Sequence, residues 1–333
     1  MKDYKRFTNL AVLAIGLVLL YNTSLGNRLE KVIRSSVNGP DQPNIKKLPA
    51  TADGHQFMVA DTGKWQFPCD EKSIKKYTAM HVSQAPTIDG KLDEEIWKKI
   101  ERSPRFVDLI SGGETLYDTQ AAVCWDDQNL YIAFWMEEPF TQGTLKNHND
   151  LIYKENDAEV FIALNDAYYE FEINALNTRY EAFFMWKETY EKNGFSAIPA
   201  LNLSNPLVRN FNGVGFKTHP RGLRYGSWDF KFPGMQSGVH IDGTLNDHKD
   251  RDRQWTVELA FPWKGMEWLA KGDQRAIPPK NNDVWRIDFT RFNPYKEAPP
   301  AKDSGGWAWS SHGVWDSHVP ECFPKITFSG KTL

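Results

Sequence analysis

The sequence predicts an all-β fold, an antiparallel β-sandwich of jelly-roll or immunoglobulin-like two-sheet architecture with one or two short helices. Apolar and polar residues alternate along many short segments, which is the period of a half-buried strand. Turn-forming Asp, Asn and Gln residues separate several of these segments. Aromatic residues make up 14% of the 333 residues, and their flat, largely apolar rings suit sheet surfaces.

The strand pattern recurs from Tyr77 to the end of the chain. Residues 129–136 are apolar on both faces, which indicates a central strand. Strands are expected at 119–125, 129–136, 157–164, 168–174, 179–186, 238–245, 255–259, 284–292 and 322–328.

Acidic residues occupy one face of two predicted strands. Asp157 and Glu159 share a face, and so do Glu170 and Glu172. If the two strands pair, like charges lie side by side and repel. The repulsion would be relieved by solvent exposure, by polar contacts to a bound sugar, by a bound cation, or by ion pairs with Arg179, Arg286 and Arg291.

Two short helices are predicted. Asp93 suits an N-cap, and Leu92 and Trp97 have the spacing of a hydrophobic staple. A second helix is expected at 263–270, directly after Pro262. Both are structural features with no expected chemistry.

The first 26 residues have the layout of a secretory signal peptide. Basic residues precede an apolar run at 10–20, and small residues flank a candidate cleavage point after Gly26. A membrane-spanning helix needs about 20 apolar residues, so the run is short for an anchor. We therefore expect a secreted, periplasmic or envelope protein, with a retained membrane anchor as the alternative. Residues 27–76 are expected to form a linker and irregular lead-in, and 77–330 a single sandwich domain.

Charge and cysteine content exclude several classes of protein. Forty basic and 43 acidic residues give a net charge of −3, which gives no reason to expect a nucleic-acid partner. The sequence has no C-x-x-C pair, which argues against a zinc ribbon or a thioredoxin-type site. In an oxidising compartment, Cys69, Cys124 and Cys322 could form one disulfide and leave one free thiol, but the sequence leaves the pair open. We expect a monomer.

A Trp-rich segment is the candidate ligand site. Trp307, Trp309 and Trp315 lie in a stretch rich in Gly and Ser. A sugar site combines an aromatic plate with a few fixed polar groups. We expect at least one of these tryptophans to stack on a sugar, the alternative being that all three pack in the core. The polar contacts are expected from Arg286, Arg291, Glu159 and Glu172.

A second candidate site is an acidic loop. Asp247, Asp250 and Asp252 cluster there, and calcium binds through six to eight oxygen ligands. The spacing is not that of an EF-hand, and a solvated acidic loop is the alternative reading.

Several segments, taken in order, resemble carbohydrate-binding module family 9, and in particular its exported bacterial family 9-like proteins. The opening segment is PTIDGKLDEEIW, residues 86–97. The others are residues 126–133, 156–162, 169–175, 243–246, 255–263, 285–291 and 318–321. The resemblance implies a sugar-binding β-sandwich with structural calcium in some members. Xylanase-linked members clamp a sugar between two tryptophans, and the stretch 307–315 is the nearest match. The usual aromatic-Gly pair after Pro-Glu is replaced here by Cys322, Phe323 and Pro324.

We therefore expect non-catalytic carbohydrate binding linked to polysaccharide breakdown. A glycoside-processing enzyme is one alternative, with two acids drawn from Glu159, Glu170, Glu172 and Glu258. An envelope protein that uses the sandwich for protein contacts is the other. The sequence carries no G-x-S-x-G, H-E-x-x-H, P-loop or G-x-G-x-x-G motif.

Overall fold

A computed structural model describes residues 65–333 and the backbone of a separate antiparallel pair, β1 (Ile45–Lys46) and β2 (Val59–Ala60). The predicted signal peptide and most of the predicted linker lie outside the described residues. Within the described part, no helix is long and apolar enough to cross a membrane.

Strands dominate the described chain, which confirms the predicted fold class. They are β3 (Lys76–His81), β4 (Val107–Asp108), β5 (Thr119–Trp125), β6 (Asn129–Glu137), β7 (Asp157–Ala163), β8 (Ala167–Asn174), β9 (Arg179–Trp186), β10 (Val208–Phe211), β11 (Arg224–Ser227), β12 (Gln236–Asp242), β13 (Gln254–Pro262), β14 (Val284–Phe292), β15 (Gly306–Ala308) and β16 (Lys325–Thr332). The α-helices are α1 (Glu95–Lys99), α2 (Lys187–Tyr190) and α3 (Glu267–Ala270). Single 3₁₀ turns lie at Glu71–Ser73, Ile152–Lys154, Phe195–Ala197, Pro199–Leu201, Trp263–Met266 and Pro320–Cys322.

Strands β3 to β16 form one continuous sheet that folds over on itself. Its order is β10-β11-β9-β8-β7-β14-β16-β3-β5-β6-β13-β12, with β15 and β4 attached to the end of β14. All neighbours are antiparallel except β16–β3 and β3–β5, which are parallel. Strand β14 joins the two halves, because its first residues pair with β16 while its later residues pair with β7 and β15.

The two halves of the sheet pack face to face around an aromatic core. Phe134 of β6 meets Phe289 of β14 with ring centroids 6.0 Å apart, and Phe171 of β8 meets Phe261 of β13 at 5.6 Å. All four rings are fully buried, and burying one such side chain contributes roughly 1.5–3 kcal/mol before entropy is counted. The alternation of apolar residues therefore produces the sandwich, and it leaves the acidic residues of β7 and β8 on the outer face of one layer.

Helix α1 begins later than predicted. Its N-cap is Glu94, not Asp93, and the Glu94 side chain accepts a hydrogen bond from the Thr87 N–H instead of capping the helix. The helix is held by Trp97, whose indole N–H donates to Glu258 Oε1 at 2.7 Å. Glu258 also accepts the Gly90 N–H at 2.7 Å, so this buried carboxyl fixes the helix and the turn before it.

The chain before β3 already packs on the sandwich. Phe67 and Ile74 are buried against Val319, in the connection that leads to β16. Cys69 and Cys322 form a disulfide there, which settles the pairing that the sequence left open. Cys124 is the free thiol, and it is buried.

Candidate functional site

A cavity of about 330 Å³ lies on the outer face of β7, β8 and β9. Its wall is mostly aromatic and its floor is polar. The aromatic lining residues are Tyr153, Tyr180, Phe184, Phe211, Trp228, Phe292 and Trp315. The polar lining residues are Glu159, Glu170, Glu172, Asp316, Ser317 and His318. Apolar walls with a few fixed polar groups are typical of a small-molecule site.

Two aromatic side chains of the cavity are unusually exposed. Tyr153 is 46% exposed and Trp315 is 39% exposed, although most of the aromatic residues in the described chain are buried. Trp315 packs edge-on against Phe292 with ring centroids 5.0 Å apart, which leaves the rest of its ring system partly open to solvent. Both residues therefore offer a flat apolar surface to a ligand.

Asp316 fixes the segment that carries Trp315. Its Oδ2 accepts the N–H groups of Val214, Gly215 and Phe216, each at 2.9 Å, and its Oδ1 accepts the His318 N–H at 2.8 Å. Four bonds to one carboxylate tie two loops together beside the cavity. The position of Trp315 is therefore set before any ligand arrives, which lowers the cost of ordering on binding.

Three glutamates of the floor, Glu159, Glu170 and Glu172, form an acidic cluster with Asp157, which is not itself part of the lining. Strands β7 and β8 pair with Glu159 directly opposite Glu172, as the predicted side-by-side arrangement required. One oxygen each from Asp157, Glu159 and Glu172 lies within 4.8 Å of the others. These three residues and Glu170 are all at least 95% buried, so solvent exposure does not relieve their repulsion.

Burial controls the ionisation of these carboxyls. It raises the pKa of Glu159 to about 8, with the nearby Asp288 adding to the rise and the Thr290 hydroxyl opposing it. Burial and neighbouring acids also raise the pKa values of Asp157, Glu170 and Glu172 well above the usual range. Near neutral pH the floor therefore holds protons, and it can both donate and accept hydrogen bonds.

The imidazole ring of His318 lies beside this cluster. Its Nε2 lies 3.4 Å from Glu170 Oε1, and its Nδ1 lies 3.2 Å from the Tyr168 hydroxyl. Burial lowers the pKa of His318 to about 3, so the ring is neutral. Arg224 donates to the Tyr168 oxygen at 2.8 Å, so we infer that the Tyr168 hydroxyl donates its own proton to Nδ1 of His318. The proton of the neutral imidazole is then on Nε2, which faces Glu170.

The raised pKa values predict a fall in stability as pH rises. A carboxyl with a pKa of about 4.5 when unfolded and about 8 when folded binds its proton more tightly in the folded state. The free energy of unfolding should therefore decrease across that window, by about 2–4 kcal/mol between roughly pH 5 and pH 8. Urea unfolding in EDTA-containing buffer measures this decrease.

The Glu159→Gln variant identifies the titrating group. It should show a smaller decrease in stability over the same pH range, because the amide does not ionise. Glu267→Gln, which replaces an exposed glutamate of α3, should keep the full decrease. Wild-type stability that is constant or rises over this range would contradict the prediction.

The predicted tryptophans lie in two different environments. Trp315 lines the cavity, whereas Trp307 and Trp309 are 0% and 1% exposed. The Trp307 indole N–H donates to Asp303 at 2.8 Å, and the Trp309 ring packs against Phe289 at 5.0 Å. Buried rings cannot stack on a ligand in this structure, so Trp315 alone of the three has the placement expected for sugar stacking.

The predicted polar residues also separate. Glu159 and Glu172 line the cavity, but Arg286 and Arg291 do not. Arg286 donates to the carbonyls of Glu321 and Phe323 at 2.8 and 3.2 Å. Arg291 is fully buried and pairs with Glu138 at 2.7 Å, so it ties β14 to the chain just after β6.

The acidic loop expected to bind calcium is engaged by protein groups. Asp252 accepts the Thr141 N–H at 2.8 Å and the Thr244 N–H at 2.6 Å, one on each oxygen. Asp247 pairs with Lys249 at 3.3 Å. These contacts do not fit a preformed metal site, and calcium binding by this loop stays a prediction.

Sequence reasoning missed Tyr153, Trp228 and His318 as cavity residues. Tyr153 lies in a single 3₁₀ turn before β7, where no periodic pattern marks it. The sequence carries no local signal for it, because the exposure of Leu151 and Tyr153 on either side of buried Ile152 is seen only in the structure. The Tyr153 N–H donates to Glu172 Oε2 at 3.1 Å, which ties this turn to the acidic floor.

Fold and cavity together define a two-layer β-sandwich with a ligand-sized pocket on one outer face. The chain matches no known protein-family model. The same fold is found in a proposed carbohydrate-binding protein from Bacteroides uniformis ATCC 8492, with a TM-score of 0.52, 13% identity, and coverage of 77% of this chain and 99% of that chain. This agrees with the fold that the family 9 resemblance implied.

Other similarities are weaker or partial. A carbohydrate-binding module family 9 from Caldicellulosiruptor kristjanssonii in complex with cellotriose has a TM-score of 0.42 and 14% identity, over 77% of this chain and 95% of that chain. Endo-1,4-beta-xylanase A of Thermotoga neapolitana is 25% identical over an alignment of 157 positions that covers 40% of this chain. The match spans only 14% of the xylanase.

Proposed function

We propose that this protein binds carbohydrate in the cavity on the outer face of β7–β9. The observation that carries the proposal is the pair of exposed aromatic residues, Tyr153 and Trp315, on a cavity with a buried polar floor. Sugar rings present C–H patches that stack on aromatic rings, and hydroxyls that need fixed polar partners. The site supplies both.

The shape and chemistry of the site favour a short stretch of sugar. A volume of about 330 Å³ is at the lower end for ligand pockets, which favours binding of one end or a small unit over a long chain segment. Glu159, Glu170 and Glu172 offer donors and acceptors to hydroxyls, since burial keeps them partly protonated. The neutral His318 ring also lines the cavity, with its Nε2 3.4 Å from Glu170 Oε1.

The comparisons support the same class of ligand. The Bacteroides uniformis protein with this fold is described as a proposed carbohydrate-binding protein. Partial similarity to a xylanase supports a role in polysaccharide breakdown. The signal-peptide layout, and a disulfide suited to an oxidising compartment, support export.

A glycan panel tests the proposal. Titration of the full chain with mono- and oligosaccharides should give saturable binding to at least one sugar, with a Kd between about 1 μM and 1 mM. No binding to any sugar at millimolar concentration would overturn it. Release of reducing sugar in the same panel would favour the glycoside-processing alternative. A concentration-dependent mass without sugar binding would favour protein contacts.

A further inference from the structure

The acidic cluster formed by Asp157 and two glutamates of the cavity floor has the features of a cation site. We propose that Asp157, Glu159 and Glu172 bind a divalent cation of the calcium class. The site would be distinct from the acidic loop that contains Asp247 and Asp250. The binding of the cation itself does not depend on the ligand proposed above.

Oxygen spacing fits the ion. One oxygen from each of the three carboxyls lies within 4.8 Å of the other two. Calcium–oxygen distances are about 2.3–2.6 Å, so two ligands on opposite sides of one ion are about 5 Å apart. Hard cations such as calcium also favour an all-oxygen, carboxylate-rich set of ligands more than zinc or copper do.

Neutral groups make the hydrogen bonds that these carboxyls form. Asp157 accepts the Phe292 N–H at 2.9 Å, and Glu172 accepts the Tyr153 N–H at 3.1 Å. Glu159 accepts the Thr290 hydroxyl. A backbone amide or a hydroxyl orients a carboxylate but does not neutralise it. Arg291 lies near Asp157 but is paired with Glu138, so the nearby protein cation does not balance all three acids, and a doubly charged ion matches them.

Two buried polar atoms, one of them outside the acidic cluster, support the proposal. Oδ2 of Asp157 has no hydrogen-bond partner, although the residue is 0% exposed. The Ser317 hydroxyl belongs to a different segment and lines the same cavity as Glu159 and Glu172. It is buried, and it has no partner that meets hydrogen-bond geometry. Such atoms are costly to leave unpaired, and a coordinated ion or its water would satisfy them.

The incomplete protein shell suggests what the ion does. Three carboxylates and one hydroxyl leave two to four positions open, since calcium takes six to eight oxygens. Those positions would face the cavity, where the hydroxyls of a bound sugar could occupy them. This last step rests on the proposed function, whereas the cation site does not.

The first experiment measures metal binding without sugar. The full chain, treated with EDTA and dialysed, is titrated calorimetrically with CaCl₂. One site with a Kd of about 10⁻⁴–10⁻³ M or tighter is expected, together with a rise in Tm at saturating calcium. Glu172→Gln should weaken calcium at least tenfold, whereas Asp250→Asn in the acidic loop should leave the affinity unchanged. No site at about 10 mM calcium would overturn the proposal, and so would loss of binding in Asp250→Asn with retention in Glu172→Gln.

A second measurement covers the case in which Glu172→Gln fails to fold. Terbium replaces calcium in oxygen sites, and nearby tryptophans sensitise its emission. Trp228 and Trp315 line the cavity, so the wild-type chain should give sensitised emission that calcium displaces. Absence of that emission would overturn the site. Sugar binding is read separately, so a negative glycan panel with positive calcium binding would reject the proposed function alone.

Discussion

Replacing Trp315 by alanine is expected to raise the Kd for the bound sugar about 10- to 100-fold. A well-placed aromatic contact at the centre of a site contributes roughly 1.5–3 kcal/mol to binding. Tyr153→Ala should give a loss of similar size, because both residues line the cavity and remain exposed without ligand. Calorimetric titration with the best sugar from the glycan panel measures the loss.

The matched control for these variants is Phe140→Ala. Phe140 is a partly exposed aromatic residue that packs against His248, and it is not part of the cavity lining. Its removal should leave the sugar Kd unchanged within about twofold. Thermal melts must show that the Trp315 variant is folded, since Trp315 also contacts Phe292. Full affinity in folded Trp315→Ala and Tyr153→Ala variants would exclude this cavity as the sugar site.

Arg291→Met is expected to destabilise the fold by about 3–5 kcal/mol while leaving the sugar affinity of the folded fraction unchanged. The guanidinium is 0% exposed, pairs with Glu138 at 2.7 Å, and donates to Thr119 and to the Glu137 carbonyl at 2.9 Å. Removing it leaves the Glu138 charge buried without its partner, which is the costly outcome for a buried pair. Urea unfolding measures the loss.

A double variant separates charge from packing. Arg291→Met combined with Glu138→Gln should recover part of the lost stability, because no unpaired charge remains. If Arg291→Met instead unfolds like the wild type and binds sugar more weakly, Arg291 contacts the ligand, as the sequence had suggested. A structural role for Arg291 therefore predicts lower stability with unchanged sugar affinity, and a ligand-binding role predicts unchanged stability with weaker sugar binding.

Strand positions could be predicted from the sequence because the two-residue period is local. Strands β5, β9 and β14 begin and end at the predicted residues, 119–125, 179–186 and 284–292. The same period placed Glu159 and Glu172 on outer faces, and strand pairing then set them opposite each other. Side-by-side acids were therefore predictable without coordinates.

The aromatic part of the site was only partly predictable, because burial depends on distant partners. Trp307 and Trp315 both lie in a Gly- and Ser-rich stretch. Trp307 pairs with Asp108 of β4 and is enclosed, whereas Trp315 follows a turn and stays open. Tyr153 is positioned by a hydrogen bond to Glu172, 19 residues later. No local pattern records these contacts.

The disulfide has a mechanical consequence. It joins positions separated by 253 residues, so strands β3 to β15 lie inside a covalently closed loop. A pulling force applied to the chain before Cys69 and after Cys322 loads β16, which pairs with β3 and β14, but the bond carries the force past the strands inside the loop. Roughly 850 Å of extended chain stays locked in until the bond is reduced. A sandwich held under load at both ends would thus keep its ligand cavity assembled under tension.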